Sequence, residues 1–538
     1  MKMPKGKSRH DTTLMSPGLP ALYQLNTDRK YIDGNEKQVR RWTYGRTDRN
    51  KQNKVILLVG ETGLGKTTII NTMINYLLGV KFEDEEFYQI TEEEKNIDET
   101  KTQTSEITVY EVFVEENPTS LTIIDTPGYG NTEGYEKDGE ISENLIKLFS
   151  AEDGIHYIDA VCFVMKASQN RLSGKELYIF HSVLSLFGKD IENNIVFLHT
   201  HSDGRCPTNV INAIKKAEIP CRRDGDNEPV HFLFNNRKKE EKDEEYEQLF
   251  KSSWEMGEKS TKELLMLLDE KNRTSLHMTL DVLKERRRLE ACVSNLKERI
   301  NERELKIKEL TDIQEAMRQD KTEIDQCENY PFRVSQAVKE KFPTYDEWWW
   351  NRNATCCSVC QENCHESCWE NHPSWCSVMK DNFCTKCTGK CHYSVHLREN
   401  KKYAICKKTV TMSFVDLKQE YERSEFDNKR KIEEKLNSDL EKNKNERSNL
   451  LQEAYISIVS LSKIALKTDS AFTLQHLDCL IPQLKEEGKD EWMKNLEDLR
   501  KTAEEQKNKG ALHYVLNFSR QWNQFYNHVT GKNDCIQQ

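Results

Sequence analysis

The stretch GETGLGKT at 60–67 has every fixed position of a phosphate-binding loop, G-x-x-x-x-G-K-[ST]. It follows an apolar run at 55–59, which predicts a strand, and precedes a stretch at 66–78 that predicts a helix. Backbone N–H groups and the positive end of the helix can wrap phosphates, while Lys66 would neutralise the β- and γ-phosphates and Thr67 would ligate Mg²⁺. A glycine turn that binds nothing is the alternative. The predicted contacts of this loop are Gly60, Glu61, Thr62, Gly63, Leu64, Gly65, Lys66, Thr67 and Thr68.

Two later segments indicate which nucleotide such a loop would hold. The run LTIIDTPG at 121–128 reads as a strand ending in D-T-P-G, so Asp125 could reach Mg²⁺ through water and the Gly128 amide could sense the γ-phosphate. Another buried strand at 194–198 leads into THSD, where the Asp203 carboxylate could accept from both N1–H and the 2-amino group of guanine. Adenine offers no such pair of donors, which favours GTP over ATP. The predicted base contacts are Thr200, His201, Asp203, Asn235 and Asn236.

In this order, these segments resemble the GTPase family, and within it the GIMAP-type (AIG1-type) and septin-like branch. The resemblance rests on GETGLGKTT, DTPG, THSD, FNNR and the stretch QNRLSGKE at 169–176, and it covers about residues 50–265. It implies an α/β P-loop GTPase domain, a mostly parallel sheet with helices on both faces, and GTP or GDP with Mg²⁺ as cofactors. It also implies a homodimer of G domains that face each other across the nucleotide, with His201 and Arg171 at the interface. An exposed or base-stacking ring is the alternative for His201.

Hydrolysis of GTP by this chain is expected to be slow or to need a partner. Tyr129 follows the DTPG segment, where Ras-type enzymes carry the glutamine that orients the attacking water. Three threonines ahead of the next strand are candidates for the residue that senses Mg²⁺: Thr100, Thr102 and Thr104. Thr100 is favoured by the T-K-T-x stretch of GIMAP-like chains and is assigned, with Lys66, to catalysis. The alternative is that these threonines only precede the strand.

Cysteine and histidine are concentrated at 355–396, which holds nine of the 17 cysteines. In a large chain without a secretory signal these thiols should stay reduced, and thiolates two or three residues apart can ligate one tetrahedral ion. Four pairs therefore predict two Zn²⁺, which would supply most of the folding energy of this aliphatic-poor stretch. Free thiols or disulfides are the alternative, and the grouping of pairs around ions stays open. The predicted ligands are Cys357, Cys360, Cys364, Cys368, Cys384, Cys387, Cys391 and His396, and those left over are Cys356, His365, His372, Cys376 and His392.

The chain as a whole is acidic and strongly charged, with a formal net charge of −10, 36% hydrophobic residues and 32% charged residues. This balance argues against nucleic acid as a partner and predicts a compact domain joined to long charged helices. No apolar window approaches the roughly 20 residues that span a bilayer, so a cytoplasmic protein without a transmembrane segment is expected, with membrane contact left open. The C-terminal CIQQ fits a prenylation box at Cys535 poorly.

Two charged helical stretches flank the cysteine-rich segment. Apolar residues recur at 3–4 spacing over 289–324, and a second such seam over 415–465 is interrupted by Asn443 and Arg447. An antiparallel hairpin of the two arms is expected, while solvated helices or separate homotypic coiled coils are the alternatives. Runs of β character at 332–338 and 402–414 predict a ribbon that carries the zinc module.

These features predict a GTP-binding protein that dimerises with nucleotide as a switch or assembly scaffold and binds partner proteins through a zinc-stabilised coiled-coil stalk. A zinc-dependent scaffold or ubiquitin-ligase-like protein with a structural G domain is the alternative. An SMC-like ATPase with a zinc hook, suggested by LSGK at 172–175, is excluded because IIDTPG lacks the acid that follows a Walker B strand. The predicted domains are a largely disordered tail at 1–49, the G domain at 50–268, a coiled-coil arm at 269–328, the ribbon and zinc module at 329–414, a second arm at 415–465 and a small C-terminal helical bundle at 466–538.

Overall fold

The structure is a computed structural model of the chain, and it forms two compact units. One consists chiefly of residues up to Leu283, and the other chiefly of 284–463 and 472–502. The described residues are 11–18, 20–34, 37–47, 51–91, 106–115, 117–129, 135–235, 246–269, 272–289, 292, 302, 305, 312, 315, 327, 330–343, 353–368, 372–413, 415–416, 429–466 and 471–507. The units are taken separately below.

The first unit is built on a central sheet of eight strands. Its strands are β1 (Thr12–Ser16), β2 (Ala21–Leu25), β3 (Asp28–Tyr31), β4 (Val39–Tyr44), β5 (Gln52–Val59), β6 (Glu86–Gln89), β7 (Ile107–Val112), β8 (Thr119–Asp125), β9 (Tyr157–Ile158), β10 (Ala160–Lys166), β11 (Ile195–Thr200), β12 (His231–Leu233) and β13 (Thr274–Ser275). The central sheet has the order β12-β11-β10-β5-β8-β7-β4-β3. Within it only β7–β8 and β3–β4 are antiparallel among the described strands. The mostly parallel sheet is the one that the sequence predicts.

Helices cover the two faces of this sheet. They are α1 (Lys66–Leu77), α2 (Tyr135–Ser150), α3 (Gly174–Leu184), α4 (Thr208–Lys216) and α5 (Glu247–Asp269), with short 3₁₀ turns at Phe82–Asp84 and Lys189–Asn194. Successive strand residues point to opposite faces, so Leu57 and Val59 belong to one buried cluster and Ile56 and Leu58 to the other. Burial on both faces explains why the central strands are continuous apolar runs rather than alternating ones.

The N-terminal segment differs from its expected disorder. The sequence predicts a largely disordered tail at 1–49, but the structure places β1 to β4 within it. Strand β4 pairs in parallel with β7 along its whole length and buries Val39 and Trp42. The expectation is therefore wrong for the described residues of this segment. Short strands are stabilised by pairing with distant parts of the chain, which their own composition does not display.

The His199 side chain lies in the core near the end of β11. It is 0% exposed, and neither ring nitrogen has a hydrogen-bond partner among the described residues. Burial, together with the nearby His231 ring, lowers the pKa of His199 to about 3. The folded-state pKa thus lies below the value of about 6.5 in an unfolded chain, so the unfolded state binds more protons between these two pH values. The stability that the neutral ring contributes is therefore lost as the pH falls below about 6.5, the pKa of a histidine in the unfolded chain.

We expect the free energy of unfolding of this unit to fall by about 1.4 kcal/mol between pH 7.5 and pH 5.5 through His199 alone. His199→Leu removes the titrating group and should remove this part of the pH dependence. Urea unfolding at the two pH values, followed by pulse proteolysis, measures it. The control is His277→Leu at an exposed position, which should keep the wild-type slope. A slope that His199→Leu leaves unchanged would contradict the assignment.

The second unit carries the cysteine-rich segment inside a β-ribbon. Its strands are β14 (Phe332–Pro343), β15 (Asn353–Cys357), β16 (Glu362–Cys368), β17 (Met379–Lys380), β18 (Phe383–Cys384), β19 (His396–Glu399) and β20 (Lys401–Met412), with 3₁₀ turns at Pro373–Trp375 and Tyr393–Val395. Strands β14 and β20 pair antiparallel from end to end, where the sequence predicts a ribbon. Between them in the chain, β16, β15 and β19 form a three-stranded sheet in that order.

Long helices follow the ribbon. They span Lys429–Ile464, Ala471–Glu486 and Asp490–Lys507. Another helix, at 277–289, precedes the ribbon in the chain. Arg447, which interrupts the predicted seam, is buried, and its guanidinium forms ion pairs with Glu486 at 2.7 Å and Glu487 at 3.1 Å. Acids at the end of the next helix and directly after it thus accommodate the charge on the seam.

Much of both predicted arms lies outside the described residues. That part includes most of the seam at 289–324 and the residues at 417–428, so the pairing of the arms stays a prediction. Residues 508–538, with Cys535, also lie outside. Among the residues described, no helix is both long and apolar enough to cross a membrane.

Candidate functional site

The phosphate-binding loop joins the end of β5 to the start of α1. Gly65 precedes the helix with φ of +88°, a left-handed conformation that favours glycine. The DTPG segment comes close to the loop, since a Cβ added at Gly128 would lie 1.9 Å from Thr62 Oγ1. The two segments that the sequence assigns to phosphate and Mg²⁺ therefore lie side by side.

The Lys66 ammonium group is buried inside this loop. Its Nζ donates to the carbonyl oxygens of Gly60 at 3.0 Å and Glu61 at 3.1 Å. Burial lowers the pKa of Lys66, while the Asp125 and Glu61 carboxylates act in the opposite direction. Phosphate oxygens would form stronger, charge-assisted bonds than these carbonyl groups do. The cation is thus placed to bind a polyanion.

The Asp125 carboxylate, at the end of β8, fits the role of an outer ligand to Mg²⁺. Its Oδ1 is shielded from solvent and has no hydrogen-bond partner among the described residues. Burial raises the pKa of Asp125 to about 6, opposed by Lys66 and Arg40. A buried carboxylate oxygen without a partner is costly, and a water on Mg²⁺ would both donate to it and favour its ionised form. With the exposed Thr67 hydroxyl close in sequence to Lys66, the oxygen donors suit Mg²⁺, which keeps several waters.

The predicted base contacts lie at the carboxyl ends of β11 and β12, which are adjacent parallel strands. The Ser202 amide donates to Phe234 O at 3.1 Å, and this bond joins the THSD segment to the loop that begins at Asn235. Asp203 is exposed, and its Oδ1 accepts from the Arg205 amide at 3.0 Å. Because β5, β10 and β11 run parallel, this edge is also the edge that carries the phosphate loop.

A cavity of about 380 Å³ lies beside these loops, bordered mainly by α1, β2, β6 and α5. Its lining includes Thr67 and Thr68 from the phosphate loop, Asn235 from the base loop and Trp254 from α5. Thr67, Thr68 and Asn235 are the predicted nucleotide contacts in this lining, whereas Lys66, Asp125 and Asp203 do not line the cavity.

Thr200, His201 and Arg171 differ in how accessible they are. Thr200 is buried, and its hydroxyl donates to Met165 O at 3.2 Å, so it shapes the loop from inside. His201 is exposed and has φ of +54°, and Arg171 is exposed as well. Both predicted interface residues are therefore accessible on the first unit.

Part of the predicted hydrolysis and base-binding site falls outside the residues that the structure describes. Thr100, Thr102, Thr104 and Asn236 lie outside the described residues, so their roles stay predictions. Tyr129 is described, and its side chain is 1% exposed within the core. A side chain so placed does not orient an attacking water as a glutamine does.

One contact at the loop was missed by the sequence analysis. Lys175 Nζ forms an ion pair with the Glu61 carboxylate. Helix α3 begins at this point, because Ser173 Oγ accepts from the Glu176 amide at 3.2 Å and the Ser173 amide donates to the Glu176 carboxylate at 2.7 Å. The S-x-x-E pattern is the signal that could have revealed this capping box. LSGK is therefore a helix start that presents Lys175 to the phosphate loop.

A family model identifies the first unit. Residues 54–280 match the model of the AIG1 family. These residues are an AIG1-family domain. The domain is a GTP-binding, GTP-hydrolysing P-loop domain, which confirms the fold and the nucleotide class that the motifs predict.

Several solved structures are similar to part of this chain, at low identity and low TM-score. Toc33 from Arabidopsis thaliana in complex with Mg²⁺ and GMPPNP is 14% identical over 40% of this chain and 88% of that chain, with a TM-score of 0.25. A dimerization-deficient mutant of Toc33 is 15% identical over 39% and 85%, with a TM-score of 0.26. The septin GTPase domain from Chlamydomonas reinhardtii is 18% identical over 35% and 76%, with a TM-score of 0.23. A search of curated proteins gives no significant match.

Outside the AIG1 domain, the cysteine-rich segment gathers candidate metal ligands into three groups. Within each group the ligand atoms lie within 4.8 Å of one another. The groups are Cys357, Cys360, Cys387 and Cys391; Cys364, Cys384, Cys387 and His396; and His365, Cys368 and Cys376. Cys387 thus belongs to two groups. The rings of His372 and His392, which belong to none, accept from the amides of Ser374 and Ser394 and cap short turns.

The grouping differs from the sequence pairing at Cys364 and Cys368. Their spacing suggests one shared ion, but they lie in different groups. The register between β15 and β16 shifts twice, between Asn353 and Thr355 and again between Thr355 and Cys356. Each bulge adds a residue to β16 and reverses which face the following side chains occupy. A rule based on regular spacing therefore fails here.

Backbone amides point at several of the grouped sulfurs. The amides of Lys386 and Cys387 donate to Cys384 Sγ, both at 3.3 Å. The Gly389 amide donates to Cys360 Sγ at 3.2 Å, and the Cys391 amide donates to Cys387 Sγ at 3.2 Å. Such N–H groups stabilise the thiolate form, which is the form that binds metal.

Proposed function

We propose that this protein is a slow GTPase that acts as a nucleotide-dependent dimerising switch or assembly scaffold. Its AIG1 domain takes GTP or GDP with Mg²⁺, and its zinc-stabilised helical stalk binds partner proteins. The observation that carries the nucleotide part is the shared sheet edge: the segments that carry Lys66, Asp125 and Asp203 all follow or end strands that run parallel to one another, so they meet at the carboxyl ends of those strands.

The chemistry assigned to each residue follows from its surroundings. Lys66 binds the β- and γ-phosphates, Thr67 ligates Mg²⁺ directly and Asp125 holds one of its waters. Asp203 reads the guanine edge, while Asn235 closes over the base. The buried Tyr129 leaves the attacking water without a glutamine, so hydrolysis depends on Thr100 for Mg²⁺ and on a partner for speed.

The cysteine module is proposed to hold two Zn²⁺ in the two four-membered groups. Seven residues then serve eight ligand positions, with the Cys387 thiolate bridging the ions. The ions fix the three-stranded sheet and the loops that follow it, and so give the stalk a folded tip for partner proteins.

A zinc scaffold with a structural G domain is favoured less by the site. A domain kept only for its structure would be expected to satisfy its buried polar atoms internally. Instead, Asp125 Oδ1 has no partner among the residues that the structure describes. This feature suits a pocket that is completed by a ligand.

Sedimentation velocity tests the dimerising switch. The full chain should sediment as a monomer with GDP and as a dimer with GMPPNP, because the resemblance implies G domains that face each other across the nucleotide, and Arg171 and His201 are exposed for such a contact. Arg171→Ala and His201→Ala should each weaken the dimer by about tenfold or more. Arg223→Ala, in a turn at the opposite edge of the sheet, is the control. Identical sedimentation in both nucleotide states would contradict the switch.

A further inference from the structure

We propose that His365, Cys368 and Cys376 hold a third metal ion, of the Zn²⁺ class, in addition to the two ions of the proposed function. Sequence pairing leaves His365 and Cys376 unused and places Cys368 with Cys364. The inference goes beyond the two-ion module, because it adds a separate centre with its own ligands.

The geometry of the three side chains suits one tetrahedral ion. Their ligand atoms lie within 4.8 Å of one another, and His365 Nδ1 is 3.3 Å from Cys376 Sγ. With Zn–S near 2.3 Å and Zn–N near 2.0 Å, ligand atoms on one tetrahedral zinc are separated by about 3.5 to 3.8 Å. The three ligand atoms therefore lie within about 1 Å of the separations that one tetrahedral ion requires.

The strand register explains how these residues meet. Thr355 is opposite His365, and Asn353 is opposite Cys368, with one extra residue of β16 between the two pairs. Residues two apart on β15 share a face, so their partners His365 and Cys368 share it too. Cys376 reaches the same place from the end of the turn at Pro373–Trp375. The bulge that separates Cys368 from Cys364 thus creates the third group.

Charge and burial favour a metal over free side chains. His365, Cys368 and Cys376 are 6%, 2% and 2% exposed. Two thiolates and a neutral imidazole around Zn²⁺ carry no net charge, which is the arrangement that a low-dielectric site tolerates best. Without an ion, a single buried thiolate in this group would be an uncompensated charge.

The third group supplies three protein ligands among the described residues, and a structural zinc site usually has four. Thr355 lies opposite His365 on the neighbouring strand, and its buried hydroxyl has no hydrogen-bond partner among the described residues. It is placed to hydrogen-bond a water in the fourth position. A Cys₂His site completed by water is a known zinc arrangement.

Metal counting on the full chain tests the proposal. Protein purified under reducing conditions without chelator should contain about three zinc ions per chain by elemental analysis and native mass spectrometry. His365→Gln and Cys376→Ser should each lower this count by about one. His365→Cys, which replaces the imidazole by a thiolate ligand, should keep the count at about three. The matched control is Cys356→Ser: Cys356 is buried in the same sheet and bonded to Asn363, but lies in none of the groups.

Cobalt substitution adds a readout that does not depend on stability. His365→Cys should increase the thiolate-to-cobalt charge-transfer absorption, because it converts a Cys₂His site to Cys₃. If the wild-type protein held two ions per chain and His365→Gln did not change that number, the third centre would be overturned. The two-ion module would not be affected by this result. A disulfide between Cys368 and Cys376 in such protein would overturn it as well. No zinc at all would overturn both proposals.

Discussion

Asp203→Asn should weaken GTP binding by roughly 100- to 10,000-fold and create binding of xanthosine triphosphate. Guanine presents N1–H and a 2-amino group, and an ionised carboxylate accepts from both. Asparagine offers one acceptor and one donor, so its amide would face the 2-amino group of guanine with a donor. Xanthine carries an oxygen at that position, and the same amide can donate to it. Titration of fluorescent GTP and XTP analogues, with Mg²⁺ present, measures the exchange of preference.

The loop around this position should survive the substitution. Asp203 Oδ1 accepts from the Arg205 amide, and the asparagine carbonyl can keep that bond. Asp226→Asn, at an exposed turn on the opposite edge of the sheet, is the matched control and should leave both affinities unchanged. If Asp203→Asn lowered GTP affinity less than about tenfold, Asp203 would not be the residue that reads the base.

Removal of zinc should unfold the segment 353–399 while the AIG1 domain still binds nucleotide. The buried cluster of this segment consists of six cysteines and Val378, too little aliphatic surface to fold unaided. A structural zinc contributes an apparent 10–16 kcal/mol, roughly, at neutral pH, so its loss exceeds the stability of such a small core. Hydrogen exchange of 353–399, before and after a zinc chelator under reducing conditions, reports the effect, and added zinc should reverse it.

Two cysteine variants separate metal loss from general damage. Cys384→Ser removes a predicted ligand and should expose the same segment to exchange without a chelator. Cys206→Ser, at an exposed cysteine of the AIG1 domain, should change neither zinc content nor exchange. Unchanged protection of 353–399 after complete loss of zinc would show that the metal does not hold the fold.

The nucleotide site could be predicted from the sequence because each of its parts is a short, local pattern. The loop at 60–67, the DTPG segment and THSD each follow an apolar strand, and parallel strands bring their carboxyl ends to one edge. The ion pair between Lys175 and Glu61 could not be anticipated in this way. It joins residues 114 positions apart in the chain, and it depends on how α3 approaches the loop.

Other features were hidden by long-range pairing. Within the strands at 12–44, β2 pairs with β6 and β4 pairs with β7. The composition of residues 12–44 does not indicate these pairings. The pattern of Cys364 and Cys368 suggests one ion, but bulges in β16 send the two sulfurs to different groups. Arg447 breaks a helical seam in the sequence, and only the later helix shows that Glu486 and Glu487 compensate its charge.

Competition for fluorescent GTP in the presence of Mg²⁺ is the most direct check on a guanine-specific pocket in this chain. Unlabelled GTP and GDP should displace the probe, ATP should compete at least about 100-fold less well, and Lys66→Ala should bind no probe at all. ATP that displaces the probe as well as GTP does, or a Lys66→Ala protein that binds it normally, would contradict the assignment of Lys66 and Asp203 to a guanine nucleotide.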